Sequence, residues 1–323
     1  MGTPTATERR ELAFAGVAQQ AELVRSGAVT PRELVETSLA RIAELDPQIN
    51  AFRTVFAEQA LAEADKAAGK IGAAQDLPLL GVPIAVKDDT PYAGEPRVCG
   101  SNAFGDPEPE SAQFISQLCA AGAIVVGITR TPELAAWPFT ETAAGGITRN
   151  PWNLDRTPGG SSGGPGAAVA AALVPASTAS DGAGSIRIPA ACCGLFGLKT
   201  TRGLVSTAPA DEVFGGLSVY GVLTRGVDDA ALLYEVMTGK PFVAAASQDP
   251  PALRIALSTG IPQGSTARLH PQWREAAEAT AELLRSLGHE VVEREPPIGA
   301  VGLNVLARYL AGIDAEARAV AHP

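Results

Sequence analysis

Three short segments of this chain carry residue types that nucleophilic chemistry can use. The first, Gly81-Val-Pro-Ile-Ala-Val-Lys87-Asp88-Asp89, places a lysine directly behind an apolar run. A lysine there stands at the carboxyl end of a strand, where open α/β sheets build their sites, although a lone lysine more often serves a surface ion pair. The second, Pro158-Gly-Gly-Ser161-Ser162-Gly-Gly164, surrounds two serines with four glycines. Such a stretch reads either as a flexible linker or as an ordered turn with its amides aimed at a ligand. It lacks the Gly-Lys-Ser/Thr ending of a phosphate loop. The third, Ser180-Asp-Gly-Ala-Gly-Ser185-Ile-Arg-Ile-Pro189, is a small-residue turn that ends in a serine. Consecutive amides of such a turn can converge on one oxygen and form an oxyanion hole; Ser185 could equally cap a helix.

The histidines bear on which base is present. There are three, His270, His289 and His322, all well beyond these segments. A Ser–His–Asp triad is therefore poorly supported, whereas a lysine base is at hand and Ser–Lys catalysis is established chemistry. Asp181 and Arg187 bracket Ser185 and read as a salt bridge that fixes the turn.

The elements that must position these residues follow from periodicity and capping. Thr30-Pro31-Arg32-Glu33 predicts a helix start with Thr30 as N-cap and Glu33 closing a capping box. Val35, Leu39 and Ile42 continue that helix until Asp46-Pro47 is expected to stop it. A second helix is predicted from about Ala51 to Ala68. Strands are predicted at Val82 to Val86, Ala123 to Ile128 and Val174 to Ala179, with helices at about Ser111 to Ala121 and Ala167 to Leu173. This alternation favours an α/β fold with a mostly parallel sheet. Beyond a loop at Lys240 to Pro251, a strand (Leu253 to Leu257), a helical stripe from Trp273 to Leu287 and a strand (Glu290 to Val292) read as a βαβ unit. A last helix is predicted from Leu303 to Val320.

Composition sets the broad class. Of 323 residues, 46% are apolar and 19% charged, enough to bury a sizeable core. The net charge of −10 argues against nucleic-acid and anionic-membrane partners. The amino terminus carries no apolar signal segment and no run reaches membrane-spanning length, so a cytoplasmic protein is the expectation. Cys99, Cys119, Cys192 and Cys193 show neither metal-site nor disulfide spacing and read as packed small residues. No metal and no cofactor is expected.

Taken together, G-V-P-I-A-V-K-D, G-G-S-S-G-G and D-x-x-G-S-I-R-I-P-A, in this order, resemble the amidase-signature family. The spacing fits too: Ser161 follows Lys87 by 74 residues, and Ser185 lies 24 beyond it. The match covers roughly Leu79 to Gly239, with Cys193-Gly-Leu-Phe-Gly-Leu-Lys199 and Arg202-Gly203. The resemblance implies Ser185 as nucleophile, Ser161 as bridging serine preceded by a cis peptide bond, and Lys87 as the base. It implies an oxyanion hole from the amides of Gly182, Ala183, Gly184 and Ser185. Lys87 must then be a neutral amine when it takes the proton, which requires its burial.

The implied fold is α/β, with a single large mixed, mostly parallel sheet flanked by helices and lacking the usual C-terminal third. Its expected parts are an N-terminal helical segment (1–74), the catalytic core (75–239) and an additional, truncated βαβ-type region (240–323). The implied activity is hydrolysis of small or medium carboxamides, and Ala190-Ala-Cys-Cys-Gly-Leu-Phe-Gly resembles hydrolases of cyclic amide oligomers. A homodimer is implied by the same analogy. Two alternatives stand beside it. One is the glutaminase subunit of a glutamyl-tRNA amidotransferase, which usually has Gln where this chain has Ile188. The other is a truncated, non-catalytic remnant. One departure concerns the oxyanion turn, where the family usually has glycine and this chain has Ala183; alanine would be strained there if positive φ is required.

Overall fold

The computed structural model describes residues 6–72, 77–102, 105–261, 267–297 and 301–320. Its elements begin with α1 (Ala6–Phe14), α2 (Val17–Arg25), α3 (Pro31–Ile49), β1 (Phe52–Val55) and α4 (Ala57–Ala68). They continue with β2 (Pro83–Lys87), α5 (Gln113–Ala120), β3 (Ile124–Thr129), and a small hairpin of β4 (Glu141–Thr142) and β5 (Gly146–Ile147). Next come α6 (Gly163–Ala170), β6 (Ala176–Asp181), α7 (Arg187–Cys193), β7 (Phe196–Gly197), β8 (Val219–Thr224), α8 (Val227–Thr238) and α9 (Phe242–Ala246). The last are β9 (Arg254–Leu257), α10 (Pro271–Ser286), β10 (Glu290–Glu293) and α11 (Val301–Val320).

Two compact units result, one running to Ala246 and resuming at Arg308, the other Ser247–Ala307. In the first, six strands form one mixed sheet in the order β1-β3-β2-β6-β8-β7. Its centre, β3-β2-β6, is parallel, and β1, β8 and β7 join through antiparallel ladders. In the second, β9 and β10 pair in parallel through α10, the expected βαβ unit.

Side-chain alternation along β2 sorts the core into two layers. Ile84 and Val86 pack with Phe114, Leu118, Leu233 and Met237 of α5 and α8. Ala85 packs on the other face with Leu34, Val35, Ala64 and Val169 of α3, α4 and α6. Lys87, two residues past Ala85, therefore belongs to the α6 face.

The capping box at Thr30 forms as predicted, with Thr30 and Glu33 bonding each other's amides. Two other expectations are corrected. Pro47 does not stop α3; it sits in the last turn, and Asn50 ends the helix in left-handed geometry at φ 58°. The Asp46 carboxylate then accepts the Ala51 and Phe52 amides and turns the chain into a strand. Residues 52–55, assigned to a helix, form edge strand β1 on β3. Phe-Arg-Thr-Val suits a strand, and pairing along β3 outweighs the helical pull of the alanines behind it. Within Lys240 to Pro251, expected as loop, Phe242–Ala246 forms a short helix.

Candidate active site

Because β3, β2 and β6 are parallel neighbours, Thr129, Lys87 and Asp181 all finish at the same edge of the sheet. This is where an open α/β sheet leaves room for chemistry. The Lys87 amide donates to Thr178 Oγ1 at 2.9 Å, which locks the end of β2 to β6. The Lys87 side chain is completely buried. Its Nζ lies 2.8 Å from Ser161 Oγ, 2.6 Å from Ser180 Oγ and 2.7 Å from Asp89 Oδ2. The Ser180 hydroxyl in turn donates to Asp89 Oδ2.

Ser161 arrives on an ordered turn, not a linker. The Gly160–Ser161 peptide is cis, as the family resemblance implied. Thr131 Oγ1 donates to the Ser161 carbonyl and Thr140 Oγ1 to the Gly159 carbonyl, each at 3.0 Å. Close packing explains the small residues that follow: a Cβ on Gly164 would stand 2.4 Å from the Arg130 carbonyl oxygen. At the far end of α6, the Arg41 guanidinium takes the carbonyls of Ala171 and Ala172. The Ser162 amide donates to the Ser185 carbonyl at 3.2 Å and ties the two serine segments together.

The turn after β6 is built around Asp181. Its fully buried carboxylate accepts the amides of Gly184 (2.7 Å), Ile186 (3.2 Å) and Arg187 (3.4 Å). It also takes Nε and Nη2 of Arg187 at 2.9 and 3.0 Å, the expected turn-fixing salt bridge. Burial pushes this carboxyl up, but the guanidinium and the amides outweigh it and hold it below the usual carboxylate value. A carboxyl lowered by folding stabilises the fold fully above its ordinary value near 4 and loses that contribution as pH falls through the folded-state value. Asp181→Asn is therefore expected to lower stability by about 2 kcal/mol at pH 7. The gap to wild type should narrow below about pH 4. Urea unfolding at pH 7 and pH 3 checks this; an undiminished gap at pH 3 would rule the charge out as the cause.

The same hydrogen bonds sort the oxyanion donors. The Gly184 amide, named among them, is turned inward onto Asp181 and is not available to a ligand. The amides of Gly182, Ala183 and Ser185 have no hydrogen-bond partner among the described residues. Ala183 avoids the left-handed region, so alanine is unstrained there; Gly184 carries the positive φ instead, at 127°. A Cβ on Gly184 would also lie 2.8 Å from Ile188 Cδ1. Gly184→Ala should destabilise the protein by more than about 1 kcal/mol. A urea midpoint equal to wild type would remove that strain from the account.

Ser185 is half-buried, and its hydroxyl has no hydrogen-bond partner among the described residues. It does not cap α7, whose N-cap residue is Ile186. Ser185, Ser161, Gly182 and Ala183 line one cleft of about 390 Å³, counting the space open to solvent. Phe214 and, from α11, Tyr309 and Glu316 line it too. Tyr309 is anchored through its hydroxyl to the Ala136 carbonyl and lies 5.4 Å from the Phe214 ring. Glu316 pairs with Arg97 at 3.0 Å.

His270 caps α10 and His289 Nδ1 accepts the Leu253 amide, both within the second unit. His322 lies outside the described residues. Cys193 is buried, and burial pushes its thiol up to about 12, that of an inert packed residue. Sequence reasoning overlooked Asp89 and Ser180. Both stand inside the quoted motifs, and the two-residue spacing from Lys87 to Asp89 was the available signal.

Comparison with known proteins agrees with the motifs. The model of the Amidase family matches residues 33–321. The chain is 49% identical over 319 residues to the amidase-named protein AmiB2 of Mycobacterium tuberculosis, covering 97% of this chain and 69% of that protein. It is 39% identical to a 6-aminohexanoate-cyclic-dimer hydrolase of Paenarthrobacter ureafaciens, covering 86% of this chain and 58% of that one. The solved structure of a 6-aminohexanoate cyclic dimer hydrolase complexed with substrate superposes with a TM-score of 0.87 at 33% identity. That superposition covers 96% of this chain and 68% of the other.

Proposed function

The chain belongs to the amidase-signature family, hydrolases of amide C–N bonds, and we propose that it works through an acyl-enzyme on Ser185, with Ser161 relaying protons to and from Lys87. The observation that carries this reading is the buried Lys87 Nζ, 2.8 Å from Ser161 Oγ, with Ser161 and Ser185 lining one cleft. As Ser185 Oγ bonds to the carbonyl carbon, its proton passes to Ser161 while the Ser161 proton passes to Lys87. The carbonyl electron pair moves onto oxygen, where the amides of Gly182, Ala183 and Ser185 supply donors. Collapse of the tetrahedral intermediate breaks the C–N bond, and the same relay returns a proton to the leaving nitrogen. Water, deprotonated along the same path, then releases the acid and restores Ser185.

The substrate class in this reading is a small or medium carboxamide. Cyclic or linear amides of ω-amino acids come first, because hydrolases named for a 6-aminohexanoate cyclic dimer are among the similar proteins. The test is direct. The purified chain is treated with a fluorophosphonate, and the adduct is located by intact mass and peptide mapping beside a panel of such amides. One adduct on Ser185 together with turnover of at least one amide supports the proposal. A folded chain that takes no adduct, or takes it on another residue, overturns it.

By analogy with the family alone, we also propose a cytoplasmic protein that forms a homodimer. Among the described residues no helix is long and apolar enough to cross a membrane. Sedimentation at micromolar concentration as a monomer would refute the dimer.

A further inference from the structure

Beyond the three residues of the relay, we infer that Asp89 is the positioning residue of Lys87: it aims the amine lone pair at Ser161 and balances the charge that forms when Lys87 takes the proton. The inference rests on the reading of Lys87 as base. Three oxygens stand around the lysine Nζ, Ser161 Oγ, Ser180 Oγ and Asp89 Oδ2, at 2.8, 2.6 and 2.7 Å; Ser180 and Asp89, bonded to each other, lie on one side of it. They are not equivalent. A carboxylate can only accept, and Ser180 has its proton committed to Asp89, so toward Nζ it can only accept as well. A neutral amine therefore turns an N–H toward the side that Asp89 and Ser180 share. That leaves its lone pair free to face the Ser161 hydroxyl.

Protonation completes the set. The new N–H faces Ser161, and the positive charge appears 2.7 Å from a carboxylate. The logic matches that of the aspartate in a Ser–His–Asp triad, which orients the base and stabilises its charged form. Among the described residues Asp89 is the anion in contact with Nζ. Asp88 turns away to Arg53 and the Gly100 amide. Cys99, Tyr220 and Glu316 feel the charge of Asp89. Of these, Glu316 is paired with Arg97, and burial pushes the Cys99 thiol and the Tyr220 phenol up, which keeps both neutral.

The test follows the rate of Ser185 labelling by a fluorophosphonate against pH in wild type, Asp89→Asn, Ser180→Ala and Lys87→Ala, with near-ultraviolet circular dichroism as the folding control. Asp89→Asn should label roughly 10²-fold more slowly at the plateau, a smaller loss than that of the triad aspartate because lysine has no tautomer to correct. Its acid limb should also move to lower pH, since the carboxylate that favours the ammonium is gone. Ser180→Ala keeps the charge and loses one acceptor, so it should slow about tenfold with its limb unmoved. A natively folded Asp89→Asn with wild-type rate and limb overturns the inference while Lys87→Ala, if slow, leaves the base reading standing. Wild-type labelling in Lys87→Ala overturns both. Should Asp89→Asn fail to fold, Ser180→Ala decides: slow labelling supports the positioning set and wild-type labelling sinks it.

Discussion

Ser185→Ala is expected to fold as the wild type does, to take no fluorophosphonate adduct, and to lose amide hydrolysis by about 10⁴-fold or more. The folding half of this expectation comes from the surroundings of the side chain. Ser185 is half-buried, and its hydroxyl binds nothing among the described residues, so its removal leaves no orphaned partner. The turn is held from below by Asp181 through the amides of Gly184, Ile186 and Arg187, none of which the substitution touches. The catalytic half follows because the nucleophile forms and breaks the covalent bond, while the amides of Gly182, Ala183 and Ser185 survive. These retained donors should leave a small residual rate over water. An alanine variant that still labels stoichiometrically would move the nucleophile elsewhere, with Ser161 the first place to look.

Lys87→Met is expected to lose activity by about 10³-fold or more and, unlike Ser185→Ala, to lose stability as well. Methionine roughly fills the volume of a side chain that is wholly buried. What it cannot replace are the N–H groups facing Asp89 at 2.7 Å. Their loss strands a buried carboxylate, which costs about 3 kcal/mol. The double variant Lys87→Met/Asp89→Leu removes both partners and should recover much of that stability with none of the activity. Urea unfolding of the two variants beside the wild type reads the difference. If the single variant is as stable as wild type, Asp89 has found another partner, and the contact with Lys87 does not hold the site together.

The two variants separate the roles that the local sequence could not. In sequence, Lys87 and Ser185 are equally plain members of short motifs. In the fold, one is completely buried and the other is half-buried on the cleft. Activity is expected to fail in both, and only the buried one should take stability with it.

What could be read ahead of the structure was whatever depends on neighbours along the chain. The capping box at Thr30 closes within one turn, and the lysine at the end of an apolar run marks a strand end whatever the strand pairs with. Three motifs in fixed order and spacing carried the family resemblance. The failures share one cause. Residues 52–55 became a strand because β3 offered an edge, and α3 passed Pro47 because Asn50 and Asp46 could close it three residues later. Both depend on partners elsewhere in the fold: β3 for the first, and for the second Gly145 and Ile147, whose carbonyls accept from the Asn50 side chain.

The oxyanion turn shows the same division at single residues. Sequence named Gly182, Ala183 and Gly184 together, but only the fold decided which amides stay unbonded, because the buried Asp181 carboxylate takes that of Gly184. It likewise moved the requirement for glycine from position 183 to 184, where φ is 127°. By itself, then, the sequence determined the α/β scaffold and singled out Ser185, Ser161 and Lys87, the residues proposed here as nucleophile, bridging serine and base. The tertiary structure alone brought Ser180 to Lys87 and Tyr309 and Glu316 to the cleft that Ser185 lines. Those contacts join residues up to more than a hundred positions apart, and no local pattern of hydrophobicity or spacing encodes which distant side chain will share a buried charge.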